Sequence, residues 1–237
     1  MPDFPTPDLS HLTRADFRNV YEPAEDTFLL LDAIEEHPRI ALDDDRQRDR
    51  DWPSVCLEIG SGSGCVSTFV AKVVGRSNAL FLTTDVNPHA ARATRRTGEK
   101  NEVTLDPVVM DLASALLPRL RRSVDLLIFN PPYVPTESAE VASPSNLPAP
   151  LFSISASWAG GVDGREVLDR FLPYADELLA PGGVFLMVLL EDNAPEEIIT
   201  EVRDRWGWTG RRVKERRAGR ERLVIVQFVR GADVHVG

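Results

Sequence analysis

Cysteine is scarce. Cys56 and Cys65 are the only two in 237 residues, there is no C-x-x-C pair, and only four histidines are present to complete a metal site. That composition excludes a disulfide framework and a zinc ribbon, and it reads as two free thiols in a reducing compartment with no metal ligands. Long apolar runs are missing as well. Residues 1–18 carry three prolines and scattered charges where a leader needs a basic start and an apolar stretch, and no later run approaches membrane-spanning length. A soluble intracellular protein is expected, cytoplasmic first and nuclear second. Positive charge is in short supply too: 27 basic against 37 acidic residues leave a formal charge of −10, which repels bare phosphates unless the cations gather on one face. A protein or small-molecule substrate is therefore favoured over nucleic acid.

What is present suffices for one core. At 43% hydrophobic residues, the expectation is a single domain over 1–237, with an N-terminal helical extension and charged loop in 1–50 and the main core in 51–237. Apolar runs suited to buried parallel strands recur at 55–59, 80–84, 108–110, 124–129 and 184–190, with helical patterns between them, the mark of a doubly wound α/β sheet. A helix is expected from Thr27 to Ile34. The run 43–51 (DDDRQRDRD) is too polar to pack and reads as a solvated loop. Four prolines and many serines in 135–157 exclude a helix or central strand there and place a loop directly after an apolar strand. The last third predicts a helix over 165–180 stopped by Pro181-Gly182-Gly183, a strand, a helix near 195–205 and an antiparallel pair of strands at the sheet edge. No internal repeat is evident.

Two segments carry chemistry. The first, Leu57-Glu58-Ile59-Gly60-Ser61-Gly62-Ser63-Gly64, runs off the first strand into a helix, and its glycines let a ligand approach the backbone. A dinucleotide fingerprint counted from Gly60 and Gly62 puts Cys65 at its third small position, so the E-x-G-x-G-x-G spacing suits adenosylmethionine better. Asp85, closing the second strand, is placed to accept from ribose hydroxyls, and Asp111, after the third, from an adenine amino group. Singly, each has an ordinary reading as a strand-end cap. Together, in order at the carboxyl ends of successive strands, they describe a nucleoside site.

The second segment, Asn130-Pro131-Pro132-Tyr133, follows the buried run 124–129. An amide or aromatic amine nitrogen is a poor nucleophile because its lone pair is delocalised, so methylation needs acceptors that hold its N–H bonds and aim that lone pair. Asn130 supplies one carbonyl oxygen. The prolines fix φ and keep the Pro131 backbone carbonyl out of a helix, free to be the second acceptor. Tyr133 is placed to stack on a flat target.

Residues Glu58 to Gly64, Asp85, Asp111 and Asn130 to Tyr133 resemble the class I N-methyltransferases with an NPPY motif. Tyr21-Glu22-Pro23-Ala24-Glu25-Asp26-Thr27 and Ala159-Gly160-Gly161-Val162-Asp163-Gly164-Arg165-Glu166 resemble the eukaryotic and archaeal HemK-like branch, which methylates the N5 of the glutamine in the GGQ motif of class I peptide-release factors. The resemblance covers nearly the whole chain. It implies a Rossmann-like seven-stranded sheet with helices on both faces and an antiparallel C-terminal hairpin, with S-adenosyl-L-methionine as methyl donor. Its cofactor-contacting positions fall on Thr27, Glu58, Gly60, Gly62, Gly64, Asp85, Asp111, Leu112 and Asn130; its catalytic positions fall on Asn130, Pro131, Pro132 and Tyr133. The run 43–51 and the loop 135–157 look like insertions. Bacterial relatives carry a helical release-factor domain, for which the fifty or so residues ahead of the first strand are too few.

The resemblance also implies a small zinc-binding activator subunit. A physical reason accompanies it: in such a fold the third strand lies at a sheet edge, and the apolar segment 103–110 is a hazard there unless another chain adds a strand or the N-terminal segment covers it. An obligate heterodimer is expected. Residues 211–222 (RRVKERRAGRER) form a positive patch that either meets a substrate surface or is a solvated hairpin turn. Trp206 and Trp208 read as core, Trp158 as nearer the substrate, and His89 as a helix-start residue. Other enzymes on the same motif are an adenine-N6 methyltransferase and a protein-lysine methyltransferase; a silent binding subunit is opposed by the intact NPPY.

Overall fold

The computed structural model describes residues 4–37, 53–138 and 157–231. Within them one seven-stranded sheet is built from β1 (Val55–Ile59), β2 (Leu80–Asp85), β3 (Asp106–Val109), β4 (Val124–Phe129), β5 (Leu179–Leu190), β6 (Thr209–Ala218) and β7 (Glu221–Val229), in the order 3-2-1-4-5-7-6. The first five pair in parallel, and β7 inserts antiparallel between β5 and β6. The strand order reverses between β1 and β4, where sheets of this kind open a crevice at their carboxyl ends.

Alternation along the strands divides the core in two. Cys56, Leu126, Ile128, Leu186 and Ile225 face α1 (Glu25–Glu35) and α2 (Cys65–Val74). Leu57, Leu127, Phe129, Phe185 and Val226 face α5 (Glu166–Leu178) and α6 (Pro195–Trp206), with the short α4 (Leu117–Leu120) packed against the same core. Burial pushes both thiols above their ordinary range, Cys65 to about 12, so neither is reactive. Trp208 is buried in the second core, as its sequence context predicts, with Trp206 packed against it.

Helix α3 (Pro88–Lys100) starts where the Asn87 side chain accepts from the His89 N–H at 2.9 Å and Pro88 presets the first turn. Its outer face carries the N-terminal segment: Leu12 and Val20 pack on Ala90 and Ala93, and Asp8 and Asp16 bind Asn101, Lys100 and Arg96. That segment does not cover β3, which among the described residues pairs only with β2. The free edge is shorter than the apolar run suggests, because Val103 and Leu105 turn into the core ahead of the strand. The exposed hydrophobe there is Val109, at 53%.

Two boundaries move. The third strand begins at Asp106 and ends at Val109 instead of spanning 108–110. Helix α5 ends at Leu178, and Pro181-Gly182-Gly183 is not its stop signal but a bulge inside β5, where pairing slips between Val124↔Leu179 and Leu126↔Val184. Gly182 takes φ +76 there, and a Cβ on Gly183 would lie 2.9 Å from the Val124 carbonyl. The charged run 43–51 and residues 139–156 of the proline-rich loop lie outside the described residues.

The basic patch lies on the hairpin of β6 and β7, and several of its cations are paired within the chain. Arg212 pairs with Glu191, Glu196 and Glu215, Lys214 with Glu36, and Arg216 with Glu25 and Asp32.

Candidate active site

After β1 the chain turns through three glycines of positive φ, Gly60 (+68), Gly62 (+55) and Gly64 (+77), a backbone that side chains resist. The Gly60 and Ser61 N–H groups donate to the Thr84 carbonyl at 2.8 and 3.1 Å, tying the turn to the end of β2. Helix α3 buttresses it from behind, with Thr94 donating to Ser61 and Thr97 to the Ser63 carbonyl. The glycines serve different ends. A Cβ on Gly62 would meet nothing within 4 Å, so that backbone is open to a ligand; a Cβ on Gly64 would lie 2.7 Å from the Thr94 Cα.

The turn forms one wall of a cavity of about 440 Å³ at the carboxyl ends of the strands, a volume suited to one small ligand plus a target group. Thr27, Glu58, Gly60, Gly62, Asp85, Asp111 and Leu112 line it, as do all four residues 130–133. Gly64 does not. It lets α3 pack against the turn and caps α2.

The carboxylates on this side are already held. Asp85 accepts from the Gly62 N–H at 3.0 Å and the Asn87 N–H at 2.8 Å; desolvation raises its carboxyl to about 6 against the pull of those bonds. Glu58 accepts from the Ser67 backbone and hydroxyl, and burial lifts it to about 8. Asp111 is paired with Arg170 at 2.6 Å, a cation from α5 that also lines the cavity. An open glycine backbone beside carboxylates poised for hydroxyls, an amine and a cation fits S-adenosylmethionine.

Across the cavity, β4 delivers Asn130. Its Nδ2 donates to Asp26 Oδ2 at 2.9 Å, while its Oδ1 is buried with no partner. Among the described residues of the cavity wall, only the Thr84 hydroxyl shares that condition. Asp26, buried at the start of α1, also accepts from the Tyr133 hydroxyl at 2.9 Å and the Tyr21 hydroxyl at 3.1 Å. Burial, and the carboxylate beside them, push both phenols upward, so they remain donors. Tyr133 therefore has a polar anchor as well as the flat face its motif predicts, and Trp158 lines the same opening. Sequence reasoning passed over Asp26 and Tyr21. The available signal was a carboxylate opening the otherwise apolar helix Thr27-Phe28-Leu29-Leu30, with a tyrosine five residues before it.

Comparison with known proteins returns the methyltransferase small domain, whose family model matches residues 47–146. The chain is 47% identical over 227 residues to methyltransferase HEMK2 of Mus musculus, covering 96% of this chain and 97% of that one. It is 36% identical over 231 residues to the eRF1 methyltransferase catalytic subunit mtq2 of Schizosaccharomyces pombe, covering 95% of each. Among solved structures, the E. cuniculi Mtq2–Trm112 complex, responsible for methylation of the eRF1 translation termination factor, superposes with a TM-score of 0.62 at 27% identity over 90% of this chain and 99% of that one.

Proposed function

The chain belongs to the HemK-like methyltransferases, in the branch of HEMK2 and Mtq2, with their Rossmann-like fold and S-adenosylmethionine as methyl donor, and from that premise we propose that it methylates the N5 of the GGQ glutamine in a class I release factor. One observation carries the reading: the Asn130 amide is held by its nitrogen on Asp26, leaving a buried, unpartnered carbonyl oxygen at the cavity.

Bound adenosylmethionine supplies an electrophilic methyl on a cationic sulfonium. The protein's task is to present a poor nucleophile. Because Asp26 accepts from Nδ2, the Asn130 side chain cannot flip, and Oδ1 is the atom offered to one N–H of the target amide. The Pro131 carbonyl takes the other N–H, and with both held the nitrogen lone pair is directed at the methyl. Orientation of this kind contributes on the order of 7–11 kcal/mol in favourable cases, enough to need no strong base. Tyr133 and Trp158 supply flat walls for the side-chain amide.

The partner is a small zinc-binding activator of the Trm112 kind, in a heterodimer. The free edge of β3, with Val109 exposed, supports an added strand, and the E. cuniculi relative is a complex with Trm112. The complex works in the cytoplasm, where termination occurs, and fractionation of tagged protein checks this.

The test is label transfer. The activator-bound enzyme, given methyl-labelled cofactor, is offered a release factor, its GGQ glutamine-to-alanine variant and DNA in separate reactions. Label on the intact factor alone supports the reading; label on the glutamine variant points to lysine, and label on DNA points to adenine.

A further inference from the structure

Asn193 sits in the single helical turn after β5, behind the cavity wall, and the reaction described above makes no use of it. It is fully buried. Its Oδ1 accepts from the Leu190 N–H at 2.7 Å, and its Nδ2 donates to two carbonyls 30 residues apart in sequence, Tyr133 at 3.0 Å and Asp163 at 2.9 Å. The next residue, Ala194, has φ +55, a backbone that a non-glycine residue keeps only where its surroundings fix it.

The carbonyl it holds closes the segment 130–133. Gly160 and Gly164 let the chain after the proline-rich loop press against residues 132–133: a Cβ on Gly164 would lie 2.0 Å from the Tyr133 carbonyl oxygen, and one on Gly160 2.6 Å from that of Pro132. The Val134 N–H donates to the Trp158 carbonyl at 3.0 Å, and the Gly160 N–H to that of Val134 at 2.9 Å. Segment 130–133 is thus gripped at both ends, through the Asn130 side chain by Asp26 and through the Tyr133 carbonyl by Asn193.

We propose that Asn193 is a positioning residue for methyl transfer: by holding the Tyr133 carbonyl against the 160–164 turn it sets where the Pro131 carbonyl meets the target N–H. The inference rests on the reading that residues 130–133 receive the amide. A purely stabilising asparagine would affect folding and cofactor binding alike; a positioning one acts on turnover.

Asn193→Asp separates the two. It keeps the acceptor for Leu190 and replaces a donor by an oxygen facing two carbonyls. Assayed with the activator and release factor, it is expected to lose about 30- to 100-fold in kcat, the scale on which small misplacements act. Cofactor Kd by titration calorimetry stays within about twofold, since Gly62 and Asp85 are untouched. A second signature is pH. The buried carboxyl at 193 favours its neutral form, which donates to one carbonyl, so the variant's kcat recovers relative to wild type as pH falls. Should Asn193→Asp not fold, Asn193→Ser, whose hydroxyl donates to one carbonyl, takes its place in the kcat and Kd measurements. A folded variant with kcat within about threefold of wild type overturns the proposal, as does a kcat loss matched by an equal loss of cofactor affinity. Wild type that fails to methylate the release factor instead sinks the substrate reading, and this proposal with it.

Discussion

The two halves of the cavity differ in what they leave unsatisfied. Around the glycine turn the carboxylates are engaged by protein donors: Asp85 by two backbone N–H groups, Glu58 by Ser67, Asp111 by Arg170. Across from them the amide at position 130 is pinned by its nitrogen while its oxygen is bare. One half is a finished cradle with acceptor capacity to spare; the other is an incomplete hydrogen-bond set with an acceptor open to a donor, which the proposed function fills with a substrate N–H. Binding strength should therefore depend on the first and turnover on the second.

Substitutions can break that division, most sharply at Asn130. Asn130→Ala is expected to lower kcat about 10³-fold while cofactor Kd moves about fivefold at most, read by steady-state assay and calorimetry. A proportionate loss of both would merge the two halves into one. Asp26→Asn comes next. It replaces the carboxylate that takes four side-chain donors by an amide with one acceptor, freeing Asn130 to flip, and about 10²-fold in kcat is expected, again with cofactor affinity kept. The glycines sharpen the other side. Gly62→Ala puts a methyl into the open cradle and should weaken cofactor binding about tenfold; Gly64→Ala meets Thr94 and should show first as a drop in Tm.

The smallest effect is electrostatic. Glu58 is raised from 4.5 to about 8, so the folded chain holds that proton more tightly than the unfolded one. Its contribution to stability is full below about pH 4.5 and is lost as pH rises through about 8, so the Tm of the cofactor-free protein should decline across that window. Glu58→Gln mimics the neutral form, and its Tm should lose the decline between about pH 6 and 8, keeping below that only the part due to Asp85, whose carboxyl is raised to about 6.

Most of the cradle was legible in the sequence because its residues are contiguous or fall at strand ends, where hydropathy patterns locate them: Glu58, Gly60, Gly62 and Asp85 all reach the cavity. What stayed hidden depends on contacts across long separations. Asp26 meets Asn130 over 104 residues and Asn193 meets Tyr133 over 60, and neither distance leaves a local pattern. Gly64 shares the spacing of the other two glycines, yet the close approach of α3 behind it is a contact that spacing does not disclose. The bulge at Pro181-Gly182-Gly183 looked like a helix stop because those residues end helices more often than they interrupt strands.

Helix α1 has a consequence for how the enzyme responds to its medium. It brings Asp26 to the Asn130 amide and Thr27 to the cavity wall, yet its outer side is moored by partly exposed ion pairs to β6, Lys214 to Glu36 and Arg216 to Glu25 and Asp32. Pairs of that kind weaken as ions accumulate around them. Raising ionic strength is therefore expected to loosen the moorings at the surface, while Leu29, Leu30 and Ile34 keep the helix, and Asp26 with it, seated on the core.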